Sequence, residues 1–320
     1  MSGAPPSSGL TMRPFEGEAD YWWLRGALRQ WTIRNALRER SWHVARFDYW
    51  WWFANPDLEH LDPRTHLFLW ETHGEAVAAV LPEGPGQAFL QVDPWSRSPE
   101  LEEAMIETAE ARLAAPGRDG RRRLWVYADS MDPARQAILR RRGYRRVTRT
   151  GAAEMHHRRR LDRPVPAAPR IAGYAIRPME GGLELLERCY ASGLAFHDDD
   201  IAVARDNRDH PDWYRHIQSA PLYRRDLDIV AVAADGSVAA FCTAWFDDVS
   251  LTAYLEPVAT VAAHRRRGLA RAVILEALHR LRRMGCRVAF VGGNSEAANG
   301  LYAAVMGRDH DVSEPWEWAG

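Results

Sequence analysis

Residues 265–271 read Arg265-Arg266-Arg267-Gly268-Leu269-Ala270-Arg271. A β-type stretch precedes them, Glu256-Pro257-Val258-Ala259-Thr260-Val261. After them Ala270, Val273, Ile274, Ala277, Leu278 and Leu281 recur at helical spacing. A strand that turns sharply into a helix makes an anion site. The first N–H groups of the helix have no internal partner, and the helix dipole is positive at that end. Gly268 lacks a Cβ and lets the backbone approach a pyrophosphate. Ala270 leaves the helix start uncrowded, and the arginines add charge-assisted contacts.

Other residues could do chemistry nearby. Glu256 lies nine residues before Arg265, and Tyr254 precedes it by two, so both belong to one strand face. Asn294 and Tyr302 belong to a second helical segment, Asn294 to Val305, with Gly307 five residues beyond the tyrosine. His197-Asp198-Asp199-Asp200 has metal-ligand residue types, but consecutive acids in a polar stretch read as solvated, and no metal is expected. Cys189, Cys242 and Cys286 are too scattered for a disulfide framework or a zinc site.

The elements around these residues follow from periodicity and turn signals. Tyr174 to Arg177 reads as a strand and Leu183 to Ala195 as a helix. His197 to Arg225 is polar, aromatic and irregular. Leu227–Ala233 and Val238–Trp245 read as strands joined by a two-residue turn at Asp235-Gly236. Leu251–Val261 is a further strand. Gly285 stops the helix that opens at Gly268. Arg287–Val291, the segment from Asn294, and Asp311–Trp318 complete the order as strand, helix and strand. The fold class is α/β, a mixed and mostly antiparallel sheet flanked by helices.

The chain carries this pattern twice. Met12-Arg13-Pro14-Phe15-Glu16-Gly17 recurs as Ile176-Arg177-Pro178-Met179-Glu180-Gly181. His73-Gly74-Glu75 with the apolar run after it parallels Asp235-Gly236-Ser237, and Gly143 parallels Gly307. Three matches at nearly one offset imply two homologous domains. The expected division is a disordered tail over 1–10, a first domain over 11–155, a Pro- and Arg-rich linker over 156–170 and a second domain over 171–320.

The loop from Arg265 to Ala270 resembles the acyl-CoA motif of the GNAT acetyltransferases, Gln/Arg-x-x-Gly-x-Gly/Ala. The strand before it and the segment Asn294…Leu301-Tyr302-Ala303-Ala304-Val305-Met306-Gly307 resemble that family's neighbouring motifs. Tandem GNAT chains of about this length include mycothiol synthase, although no residue here identifies that substrate. The resemblance implies acetyl-CoA as co-substrate. Val258, Ala259 and Thr260 would meet its pantetheine arm, and the 265–271 loop with Asn294 would complete the cofactor site. It implies an oxyanion donor on the Val258–Thr260 strand, Tyr302 as the acid that protonates the departing thiolate, and Glu256 as the base. Many relatives place the base two residues earlier, where this chain has Tyr254. Arg308 stands where an aromatic residue is usual.

The implied activity is N-acetylation of a primary amine, on a small molecule or a peptide N-terminus, by direct attack in a ternary complex. The alternative is a non-catalytic acyl-CoA sensor. The segment with Asp206, Asp209, Asp212, Trp213 and Tyr214 would wall the acceptor pocket together with Trp245, its acids favouring a cationic amine. The first copy departs from the template. Arg97 keeps the first position, but Glu100 and Glu102 replace the small residues, Ile138 replaces the tyrosine and Ala88 stands at the Glu256 position. A degenerate, non-catalytic domain is expected there. Its many aromatics, among them Tyr21, Trp31, Trp42 and Tyr49 to Phe53, read as core or as a substrate wall.

Composition narrows the partners. The 320 residues carry a net charge of −1, without a single lysine. No global field draws such a chain to nucleic acid. No apolar run spans a bilayer, and the Pro/Ser/Gly-rich start lacks a signal-peptide pattern. A cytoplasmic protein without nucleic-acid or membrane partners is expected, of undetermined oligomeric state.

Overall fold

The computed structural model describes residues 9–320; all but the last two residues of the expected tail lie outside that range. Two compact units emerge. The first comprises residues up to 50, 54–154 and 311–320, and the second 51–53 and 155–310.

In the first unit β1 (Thr11–Pro14) leads to α1 (Glu18–Arg34), α2 (Val44–Tyr49) and α3 (Pro63–His66). The strands β2 (Phe68–Thr72), β3 (Glu75–Leu81) and β4 (Gln87–Val92) follow. Then come α4 (Pro99–Arg112), β5 (Ala115–Pro116), β6 (Arg122–Asp129), α5 (Pro133–Arg141) and β7 (Arg145–Arg146). Neighbours from β1 to β4 pair antiparallel, and β4 pairs parallel with β6. Most of the aromatics are core: Tyr21, Trp31, Trp42, Phe47 and Trp50 are buried, whereas Trp22 is exposed.

The second unit repeats this plan. It contains β8 (Glu154–Arg160), β9 (Tyr174–Pro178), α6 (Leu183–Phe196), α7 (Ile201–Asp209) and α8 (Asp212–Ser219). Next are β10 (Asp228–Ala233), β11 (Val238–Asp247), β12 (Thr252–Thr260), α9 (Leu269–Arg283), β13 (Val288–Gly293) and α10 (Glu296–Met306). From β9 to β12 the pairing is antiparallel, and β12 to β13 is parallel. The core lies between this sheet and α9, where Leu269, Val273, Ile274, Ala277, Leu278 and Leu281 are buried.

The closing strand of each sheet differs from the expected division. In the second unit the strand beyond β13 is β8, in register from Val288↔Arg160 to Gly293↔Met155. The first unit is instead completed by β14 (His310–Ala319), paired with β6 from Ser313↔Asp129 to Ala319↔Arg123. The first half of the expected linker is therefore a strand, and the last ten residues of the expected second domain lie in the first unit. The arginines of β8 explain how so polar a segment becomes sheet. Arg158 pairs with Asp309, and Arg159 donates to the Val305 carbonyl at 2.9 Å. Residues 161–170 are held to α9, whose Arg282 and His279 bond the carbonyls of Leu161 and Pro166.

The β10–β11 turn is also longer than expected. Only Gly236 has positive φ, at 87°, whereas a two-residue turn of type I′ needs two such residues. The Ala233 N–H instead bonds the Ser237 carbonyl.

Candidate active site

Two strands that pair and then part create the cleft. The parallel register of β12 and β13 runs from Thr252↔Val288 to Tyr254↔Phe290 and stops. Beyond it β13 stays with β8, while β12 stays with β11 as far as Thr260. A bulge starts the divergence. Cys242 and Ala244 are two residues apart on β11, but their partners Val258 and Leu255 are three apart on β12. The extra residue falls at Glu256-Pro257. The indole N–H of buried Trp245 donates to the Glu256 carbonyl at 2.6 Å and pins the bulge.

Alternation then assigns the backbone beyond the bulge. The Val261 N–H bonds Ala239 on β11 at 3.0 Å. Peptide groups alternate sides along a strand, so Ala259 also faces β11, and Val258 and Thr260 face the side that β13 has left. The Thr260 carbonyl accepts from Arg265 Nε at 3.1 Å, and its buried hydroxyl has no partner among the described residues.

The loop into α9 is shaped by two left-handed residues, Arg266 (φ 63°) and Gly268 (φ 83°). Gly268 caps α9 without any side-chain acceptor. The first-turn N–H groups of Leu269, Ala270 and Arg271 therefore remain available to an anion. The Leu269 side chain is core, so only its backbone can serve a ligand. Arg265 and Arg266 are exposed; Arg267 donates to the Tyr174 hydroxyl at 3.2 Å, which also bonds His264 Nδ1 at 2.8 Å. Asn294 is exposed just past β13, next to Ser295, whose hydroxyl caps α10.

Tyr302 comes from α10 and is buried. No hydrogen bond to its hydroxyl occurs among the described residues. Burial pushes the phenol above its ordinary value, and the Cys242 thiol and the Glu256 carboxylate act the same way. Glu256, half-buried, is thus close enough to Tyr302 to be felt. The tyrosine ring rests on Gly293, where a Cβ would sit 3.0 Å from its Cδ2 and 2.5 Å from Asn299 Oδ1.

Asn299 Oδ1 lies 3.2 Å from His157 Nε2, and the His157 ring meets the Tyr302 ring edge-on with centroids 5.9 Å apart. Burial lowers the His157 pKa, which favours a neutral ring. Sequence reading missed His157 because it lies in a run of basic residues read as linker, and missed Gly293 because its value depends on what packs against it.

The acids expected around the acceptor pocket have basic neighbours. Asp206 bonds His210, Asp209 pairs with Arg208 and Asp212 with Arg215. Asp200 caps α7 by accepting from Ala202 and Val203 N–H groups. Among the described residues no group of three His, Cys, Asp or Glu is placed to hold a metal.

The matching place in the first unit is differently built. The β3–β4 register runs from Ala78↔Val92 to Leu81↔Phe89 with no bulge. The start of α4 is capped by Ser98, which accepts the Leu101 N–H at 3.2 Å, and its next residue is Pro99. Arg97 bonds Glu102 and Asp132 at 2.5 Å each. Arg135 bonds both oxygens of Glu102 at 3.0 Å. Burial alone would raise the Glu102 pKa, but Arg135 and Arg97 hold it down at about 2.

Comparison with known proteins agrees with this architecture. The model of the acetyltransferase (GNAT) family matches residues 187–307. No curated protein matches the sequence. Among solved structures, a GCN5-related N-acetyltransferase from Sphaerobacter thermophilus superposes with a TM-score of 0.64 at 19% identity, over 99% of this chain and 97% of that one. A tandem GNAT protein from the clavulanic acid biosynthesis pathway gives 0.61 at 17% identity, over 97% and 98%. A GNAT-family acetyltransferase from Colwellia psychrerythraea gives 0.56 at 12% identity, over 96% and 99%. The chain has the fold of tandem GNAT proteins, and its residues 187–307 match the acetyltransferase (GNAT) family.

Proposed function

We propose that the second unit transfers an acetyl group from acetyl-CoA to a primary amine by direct attack in a ternary complex. One observation carries this reading: past Tyr254, where β12 leaves β13, the half-buried Glu256 carboxylate is near the Tyr302 hydroxyl, and β12 runs on into a helix start without a side-chain cap. The donor fits the residues present. The α9 N-terminus with Arg265 and Arg266 suits its pyrophosphate. The outward peptide groups of Val258 and Thr260, with the orphaned Thr260 hydroxyl, suit the amides of its pantetheine arm.

An amine of pKa near ~10 must lose a proton before it attacks. Glu256 takes that proton, directly or through water. The amine nitrogen bonds the carbonyl carbon, and an outward N–H of β12 receives the charge that develops on oxygen. The C–S bond breaks, and Tyr302 gives its proton to the leaving thiolate. Its raised pKa keeps that proton in place at working pH. As the intermediate collapses, its nitrogen sheds a second proton to solvent; the two protons lost by the ammonium return one to Tyr302 and release one overall, so Glu256 and Tyr302 both reset.

The test is CoA release, followed by thiol titration over a panel of small amines. Turnover with at least one amine, lowered about 10²- to 10⁴-fold in Tyr302→Phe with acetyl-CoA affinity retained, is expected. Binding of acetyl-CoA with no turnover on any amine would make the unit a sensor.

A further inference from the structure

α6 lays Leu185, Arg188, Cys189 and Ser192 against the sheet. Arg188 is 0% exposed, and none of Nε, Nη1 or Nη2 has a hydrogen-bond partner among the described residues. Its guanidinium carbon lies 3.4 Å from the Phe241 centroid and 4.8 Å from that of Tyr214. Both rings are within cation–π range, and neither gives its N–H groups a hydrogen bond. A buried carboxylate on β10, Asp228, accepts the hydroxyls of Tyr214, Tyr223 and Thr243 at 2.5, 3.0 and 3.1 Å. Asp228 balances the charge at a distance and gives Arg188 no contact. A guanidinium without a partner is costly to bury, and its fork suits a carboxylate bound by two oxygens.

This patch is on the face where the amine must arrive. Phe241, Thr243 and Trp245 alternate on one side of β11, away from the core that holds Cys242 and Ala244. Trp245 pairs with Tyr254, two residues before Glu256, and Thr243 stands opposite the Glu256-Pro257 bulge. Phe241 is two residues further along β11. One strand spacing and two residues of rise separate the Phe241 backbone from that of Glu256 by about 8 Å. An α-amino acid bridges about that distance, given a charged hydrogen bond of about 2.8 Å at each end.

We propose that Arg188 is a specificity residue that binds the carboxylate of the acceptor, and that the acceptor is therefore a small amino acid presenting its amine to Glu256. The inference rests on the acetyl-transfer reading and adds the acceptor class to it. α6 and α8 roof the patch, so binding requires them to part, as enzyme lids do.

The experiment compares each common amino acid with its α-amide and its decarboxylated amine, using CoA release by the full chain. For the preferred side chain, kcat/KM is expected to be about 10²-fold higher for the acid than for either analogue. Arg188→Met should remove that preference by lowering kcat/KM on the acid while leaving the amide unchanged. Equal rates on acid and amide with the wild-type chain overturn the proposal, as does an Arg188→Met variant that slows all acceptors alike. Should the variant not fold, the wild-type ratio decides alone. Calorimetric titration of the same pairs in the presence of CoA reads the preference even without turnover. Absence of turnover would then fault the proposed reaction, and absence of a carboxylate preference the role of Arg188.

Discussion

Gly293→Ala tests whether the position of Tyr302, and not merely its presence, sets the rate. The new methyl would lie 2.5 Å from Asn299 Oδ1 and 3.0 and 3.1 Å from two carbons of the Tyr302 ring. Ordinary carbon contacts begin near ~3.5 Å, so the ring must retreat by roughly 0.5 Å and Asn299 by more. Both side chains belong to α10, so the movement is shared along the helix and takes the hydroxyl away from the thiolate it is proposed to protonate. A misplacement of 1 Å can cost about 10²-fold in rate, and half that displacement corresponds to about 10-fold. Overpacking of this kind also costs about 1–3 kcal/mol of stability. Steady-state kinetics should show kcat lowered about 10-fold with acetyl-CoA affinity preserved, because the α9 loop is untouched. In a Tyr302→Phe background the same change should add little, since the group being misplaced is already gone. An unchanged kcat, or a full additional loss in the double variant, refutes the argument that Gly293 acts through the tyrosine.

Trp245→Phe removes the N–H that holds the Glu256 carbonyl; loss of one such hydrogen bond costs about 0.5–1.5 kcal/mol, and denaturant unfolding should record it together with a reduced kcat. Gly268→Glu places a side chain at φ 83° and a carboxylate at the helix start, so calorimetry should find acetyl-CoA binding abolished; retained affinity would mean that the pyrophosphate binds elsewhere. The same titration on the unaltered chain should give one site per chain, because the α4 start already has its own cap. Glu102→Gln should destabilise the first unit by about 3 kcal/mol at neutral pH. The folded pKa of about 2 lies below the ordinary 4.5, so the carboxylate's contribution is complete above that ordinary value. It fades as pH falls toward about 2, and the wild-type and variant unfolding curves should converge there.

The sequence makes some parts of this molecule easier to read than others, for physical reasons. The α9 helix, its glycine start and the strand before it are local features, written in consecutive residues. The identity of the strand beside β13 is not local. Met155 to Arg160 shows no alternation of apolar residues, and its place in the sheet depends on Asp309 and Val305, some 150 positions away. Arg188 carries a signal legible in the sequence. It follows Leu185 by three and precedes Ser192 by four, so it falls on the buried stripe of an amphipathic helix. A cation on such a stripe requires either a partner or a ligand.

The two sheets offer a comparison within one chain. Each runs through three antiparallel pairings and then a parallel one. They differ where chemistry would occur. The second sheet has a bulge, a helix without a side-chain cap and a hydroxyl without a partner. In the first, a serine caps the helix and a proline occupies its first position. The carboxylates that the sequence suggests would repel a phosphate are not all free to do so, since Glu102 is buried and neutralised by Arg97 and Arg135. An anion would be opposed there by satisfaction rather than repulsion: the serine takes a first-turn N–H, and the arginine at the motif's first position is already bound to two acids. Freeing Arg97 by mutating Glu102 would therefore not restore binding, because the Ser98 cap and Pro99 remain at the helix start.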